Sequence, residues 1–160
     1  MTKKIACAAL LCVLCMTGRA VAAPGDAIST GTHGKADVVL PDGSALSLDA
    51  GTAMTLLDEG VELTMGQIHA QIVHHLRKKF EVRTPTCAIA VRGTDFVVRQ
   101  LPGKPTSVVV LEGTVAFSDR AGQKTVLVGA GQQSYLLPDG SPSEPSSANL
   151  REMPKWWEEP

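Results

Sequence analysis

Phe80-Glu81-Val82-Arg83-Thr84-Pro85-Thr86-Cys87-Ala88-Ile89-Ala90-Val91-Arg92-Gly93-Thr94-Asp95-Phe96-Val97-Val98 decides the fold. Phe80, Val82 and Thr84 alternate with Glu81, Arg83 and Pro85, the period of a strand with one buried face. Pro85 has no ladder N–H, so it confines that strand to an edge or to its own end and forces a bend. The following apolar run is rich in β-branched and aromatic residues and is broken once, at Gly93. A missing Cβ there marks a bulge or a close backbone approach. The expectation is two strands joined by a forced corner, the central element of the chain.

The flanking sequence repeats this grammar. Val38-Val39-Leu40, Pro41-Asp42-Gly43-Ser44 and the alternating Leu46 and Leu48 read as strand, tight turn, strand, with Asp-Gly supplying the positive φ. Ala53 to Leu57 is another short apolar run, then Val61, Leu63 and Met65 alternate. Met65-Gly66 reads as a turn into a strand carrying Ile68, Ala70 and Ile72. His74 to Lys79 is an exposed polar loop, or a helix of one or two turns. Farther on, Val108-Val109-Val110-Leu111 reads as a strand buried on both faces, and Glu112-Gly113 turns the chain into Thr114 to Phe117. Asp119 to Gln123 turns it again, and Ser134 to Leu137 is the last strand. Leu137-Pro138-Asp139-Gly140-Ser141 repeats Leu40-Pro41-Asp42-Gly43-Ser44 residue for residue, which predicts one corner geometry used twice. Short strands with a turn every ~8–12 residues predict an all-β module, a β-helical or sandwich-like wrap with Gly, Pro and Asp corners.

Four motifs occur together and in order: Phe80 to Pro85, Val91 to Val98, Val110-Leu111-Glu112-Gly113-Thr114-Val115, and Gly129-Ala130-Gly131-Gln132. As a set they resemble the FecR-like periplasmic domain, a family known from the regulator of iron dicitrate transport. The resemblance spans roughly residues 36–137. It makes Pro85, Arg92, Gly93, Thr94, Phe96, Glu112, Gly113 and Gly131 structural motif positions. FecR-like regulators hold this domain in the periplasm, receive a signal from an outer-membrane transporter, and control a sigma factor through an N-terminal cytoplasmic segment and a membrane span. This sequence reads with neither of those last two parts. The resemblance therefore implies a standalone exported module that binds and senses through protein or envelope-ligand contacts. A secreted structural or envelope-adhesion scaffold is the alternative.

Length and charge set the bounds. A chain of 160 residues predicts one ordinary domain. Lys3 and Lys4 precede the apolar run Ile5 to Met16, and Ala20-Val21-Ala22 supplies small residues at alternate positions, the pattern of a secretory signal peptide over residues 1–22. The apolar run is far shorter than the ~20 residues that span a bilayer. Cleavage after Ala22 is preferred because cleavage one residue later would leave Pro24 immediately past the cut. Cys15 lacks the small residues that lipoprotein processing prefers. The expected destination is the periplasm or the exterior. Without Lys3, Lys4 and Arg19, 12 basic residues face 16 acidic ones, a balance that argues against general nucleic-acid binding. Residues 23–35, poor in apolar side chains, read as a flexible linker, and residues 138–160, rich in Pro and Ser, as an extended or disordered tail.

No residue set points to catalysis, a cofactor or a metal. His69, His74 and His75 lack a carboxylate or histidine at ligand spacing, and no nucleophile elbow or phosphate loop is present. Asp95, beside Gly93-Thr94, reads either as a lone carboxylate in a cleft or as a strand-end carboxylate bonded to nearby backbone. Cys87, alone once Cys7, Cys12 and Cys15 leave with the leader, is either a small buried apolar residue or an unpaired thiol able to cross-link. The candidate partner-binding residues are Trp156 and Trp157, which either anchor a partner or pack back on the domain. The second group is the basic run Arg77, Lys78 and Lys79, which with Arg83 and Arg92 forms a strip for anionic envelope components or a solvated loop.

Overall fold

The computed structural model of the chain describes residues 20–74 and 79–158. Its longest strand, β6 (Gly60–Gln71), covers the place where Met65-Gly66 reads as a turn. The chain does not reverse there. Gly66 has φ +102°, and a Cβ on it would lie 2.4 Å from Thr52 Cα, so the strand bends sharply and continues. The Thr52 hydroxyl donates to Gln67 C=O (3.1 Å) and accepts from Gln67 N–H (3.2 Å), which satisfies the backbone groups at the bend. A Met-Gly pair signals a kink as readily as a reversal; this hydroxyl decides for the kink.

The bend divides β6 between two sheets. Its first half pairs antiparallel with β5 (Ala53–Leu57) and parallel with β7 (Phe80–Arg83). Its second half pairs antiparallel with β4 (Ala45–Leu48) and β9 (Asp95–Gln100). The first sheet runs from β1 (Ala20–Val21) and β3 (Ala36–Val39) through β4, β6 and β9 to β10 (Ser107–Glu112), β13 (Gln132–Tyr135) and β14 (Ser146–Ser147). The second runs from β2 (Ala27–Ser29) through β5, β6 and β7 to β8 (Cys87–Val91), β11 (Thr114–Asp119) and β12 (Thr125–Gly129). Among the described residues only β6–β7 and β1–β3 pair in parallel. The result is all-β, a curled mixed sheet forming a half-barrel, with no helix among the described residues.

Period-2 side chains fill its inside. Leu46, Ile68, Val98 and Val108 come from one sheet, and Leu63, Val82, Ile89 and Phe117 from the other, each fully buried. Full burial of such side chains is worth ~1.5–3 kcal/mol each, so this row is the main source of stability.

The stretch 80–98 forms three strands rather than two: β7, β8 and β9. Thr84 builds the first corner, since its N–H donates to Cys87 C=O (2.9 Å) and its hydroxyl accepts from Cys87 N–H (3.0 Å). Pro85 lies exposed between them, at the end of β7 as its missing N–H requires. Gly93 lies in the second corner, between β8 and β9, and the close-approach reading applies rather than the bulge. Its φ is +69°, and a Cβ would stand 2.6 Å from His74 Cβ. Gly113, in the β10–β11 turn, sits beside Gly93 and Thr94, so two of the sequence motifs meet.

The repeated pentapeptide is one corner built twice. Gly43 N–H donates to Leu40 C=O and Gly140 N–H to Leu137 C=O (3.0 and 2.9 Å). Asp42 and Asp139 each accept from the N–H two residues on, at 2.9 Å. Two sequence expectations are corrected. Residues 23–35 are not a linker: β2 pairs with β5, and Ile28 is buried in the core. Residues 138–160 are not a disordered tail: β14 pairs with β13, and the Ser134 hydroxyl, fully buried, donates to Ser143 C=O (2.8 Å). Both segments are held by backbone and hydroxyl hydrogen bonds, which leave no apolar period to read.

Gly93→Val is expected to cost at least ~2 kcal/mol, because it adds left-handed strain to a backbone clash. Gly31→Ala, with open space around the new Cβ, should melt at the wild-type temperature. Differential scanning calorimetry of both variants checks this, and equal melting temperatures would contradict the placement of the corner.

Candidate binding surface

A cavity of about 440 Å³ opens where the β3–β4 corner, the β5–β6 hairpin and the β8–β9 turn meet. Ala22, Leu40, Leu56, Ile72 and Phe80 give it an apolar wall, and Asp58, Glu59, Lys79 and Arg92 put both signs of charge on its rim. Such a site suits an apolar side chain or a small amphipathic ligand whose polar end stays at the mouth. The corner glycine thus has a functional neighbour, since Gly93 lies in the lining beside Arg92.

The basic strip is only partly assembled here. Lys79 and Arg92 reach the cavity rim, whereas Arg83 pairs with Glu81 at 2.7 Å on the neighbouring surface. Arg77 and Lys78 lie outside the described residues.

The tryptophans pack back on the domain. His69, Val97 and Val109 stand in one cross-strand row of the first sheet, on the face opposite the core residues Ile68, Val98 and Val108. Val97 and Val109 are nevertheless buried. Trp157 stacks on the His69 ring with centroids 4.2 Å apart and planes 16° apart, and Trp156 meets Trp157 edge-on at 5.5 Å. Trp156 is buried, and its carbonyl accepts from Lys35 Nζ at 2.9 Å. The C-terminal segment is therefore a strap across the outer face of the sheet. The sequence offers His69 only as a metal ligand, since its pairing with an aromatic 88 positions away carries no local signal.

The remaining candidates do not converge on a reacting centre. His69 Nε2 shares a 2.6 Å hydrogen bond with Asp95 Oδ1, so Asp95 bonds a side chain rather than nearby backbone. His74 Nδ1 lies 3.2 Å from Arg92 C=O. Among the described residues no three His, Cys, Asp or Glu side chains cluster at metal-binding distance. Cys87 is buried, the first of its two sequence readings. Burial pushes its thiol up to about 11, against the smaller opposing effect of hydrogen bonds with Thr84 and Thr86.

The FecR protein family model matches residues 26–116, more than half of the chain. The chain belongs to the FecR family. Two crystal structures of a candidate anti-sigma factor from Parabacteroides distasonis are similar to it in fold, with TM-scores of 0.70 and 0.69 and 22% identity in each case. The match covers 79% of this chain and 61% of that one, so this FecR chain spans about three-fifths of that protein's length. No curated protein matches. Among the described residues no helix is long and apolar enough to cross a membrane.

Two outcomes test the surface. With its thiol at about 11, Cys87 has on the order of one thiolate in a thousand at pH 8. An aromatic disulfide reagent should leave it unmodified in the native protein and titrate one thiol in denaturant from a chain lacking the leader cysteines; fast native labelling would contradict its burial. Trp157→Ala should lower stability by ~1–2 kcal/mol and shift Trp156 emission to the red, as read by fluorescence during denaturant melts.

Proposed function

We propose that this FecR-family chain is an exported, non-enzymatic binding module that senses a partner protein or an envelope ligand and passes that contact into a signalling pathway. The observation that carries the reading is the apolar cavity with its two-signed charged rim, set beside the Gly93 and Gly113 corners of the family fold. A pocket of this character recognises; among the described residues its lining holds no nucleophile paired with a base. The leader pattern of residues 1–22 supports periplasmic or extracellular delivery. The fold likeness to a candidate anti-sigma factor supports a regulatory partner rather than a substrate.

Fractionation of cells expressing the whole gene is the direct test of delivery. The protein is expected in the periplasmic or secreted fraction with its leader removed, and an intact leader in the cytosol would sink the reading. Cross-linking in intact cells then separates sensing from scaffolding. A stoichiometric protein partner, lost in Leu40→Glu at the cavity wall, supports sensing; retention on envelope polymer, unaffected by that substitution, supports the secreted scaffold.

A further inference from the structure

The edge of the first sheet adjoins the cavity. β1 consists of two residues and lies parallel to β3, with Ala20 opposite Val38 and Val21 opposite Val39. The next residue, Ala22, is buried and lines the cavity. These same three residues form the small-residue pattern at which the leader is expected to be cut. Cleavage after Ala22 would remove β1 whole. It would leave the outer N–H and C=O groups of β3 unpaired, and the cavity without one of its apolar walls.

Exposed strand edges are normally blunted by proline, by charged side chains, by a bulge or by being very short. β3 reads Ala36-Asp37-Val38-Val39, is regular along its register with β4, and has no proline or bulge; its protection is its four-residue length and the one charge of Asp37. The row of unpaired groups would end beside Leu40 at the mouth of a 440 Å³ space. An edge that ends in an apolar pocket is the arrangement by which sheets accept an added strand: backbone bonds supply affinity, and the pocket reads one side chain.

We propose that the β3 edge and the adjoining cavity form a docking groove for an extended segment of a partner protein, added parallel to β3, and that Ala20 to Ala22 hold this groove until the leader is removed. This rests on the export reading. The cavity also sets the partner's chemistry. The space remains open with the Ala22 methyl already in the wall, so the partner residue at that position is a larger apolar one such as leucine. Lys79 and Arg92 on one part of the rim, with Asp58 and Glu59 on another, leave room for polar residues on either side of it.

The test uses the protein as cells release it from the whole gene. Its intact mass fixes the N-terminus. End-blocked, fluorescein-labelled peptides of the sequence Thr17 to Ala22 are then titrated against it by anisotropy: the native sequence, an Ala22→Leu variant, and a double variant Ala20→Pro, Val21→Pro that removes the ladder N–H groups. The expected result is a processed protein that binds the leucine peptide on the order of tenfold tighter than the native one, with binding of the double-proline peptide lost. A processed protein that binds none of them, or binds the proline peptide as well as the native one, overturns the groove and leaves export standing. A mass that still includes residues 20–22 overturns both. Because the proline substitutions lie in the peptide, no variant of the protein has to fold for the test to decide.

Discussion

A single strand that must serve two sheets is the constraint on which this fold depends. Bending β6 at Gly66 leaves the Gln67 C=O to accept from Asp49 N–H at 3.1 Å and takes the Gln67 N–H out of the regular ladder, where a buried, unpaired N–H costs ~1–3 kcal/mol. Thr52 meets both groups with one hydroxyl. Thr52 is in turn held by Thr30, whose hydroxyl accepts from Thr52 N–H at 2.8 Å and donates to Asp49 C=O at 2.7 Å. Gln67 also reaches back through its side chain to the Asp49 carboxylate. Three separate stretches are thereby locked to one kink. The half-barrel curls because its longest strand is not free to be straight.

That network shows why some of the molecule was legible in the sequence and some was not. Burial of alternating apolar side chains leaves a period, and the period located β4 and β7 with their core faces, while β5 and β10 were visible only as short apolar runs. Turn chemistry leaves fixed dipeptides, and Pro-Asp-Gly-Ser identified the same corner in two places. Thr30, Thr52, Ser134 and Ser143 do comparable structural work through single hydroxyls, and a lone Thr or Ser looks alike in a strand, a cap and a linker. β2 was missed for that reason, as was the strand pairing at Ser146–Ser147. Met65-Gly66 failed differently, since the dipeptide fixes a backbone conformation without saying whether the chain turns back.

The candidate surface divides along the same line. Gly93 and its neighbours were visible because a close backbone approach excludes every side chain, which puts a glycine in a run that otherwise favours β-branched residues. The cavity itself was invisible. Its wall draws on Leu40, Leu56, Ile72 and Phe80, each of which reads as ordinary core from its own segment. Only the bend in β6, which brings the β5–β6 hairpin against the β3–β4 corner, leaves space among them. Lys79 gained its meaning the same way, as a rim charge beside Arg92 rather than as one member of a basic run.

The C-terminal strap anchors on the same outer row that holds Val109. A strand with one face open to water cannot bury consecutive residues, yet Val108, Val109 and Val110 are all buried. The family match ends at residue 116, and a sheet built from that portion alone would leave β10 as its edge. β13 removes the edge by pairing with β10 from Ser107 to Val109, and Gly131 N–H donates to Val110 C=O at 2.8 Å. Pairing covers the edge but neither face. Val108 and Val110 already turn inward with the core, so Val109 and Val97 need cover from the other side. They share their row with His69, on which Trp157 is stacked. Two indoles near the end of a chain are costly to leave in water and large enough to shield such a row. The strap meets that row at His69 and is held a second time by Lys35 at the Trp156 carbonyl, so it is as much a part of the fold as the strands it crosses.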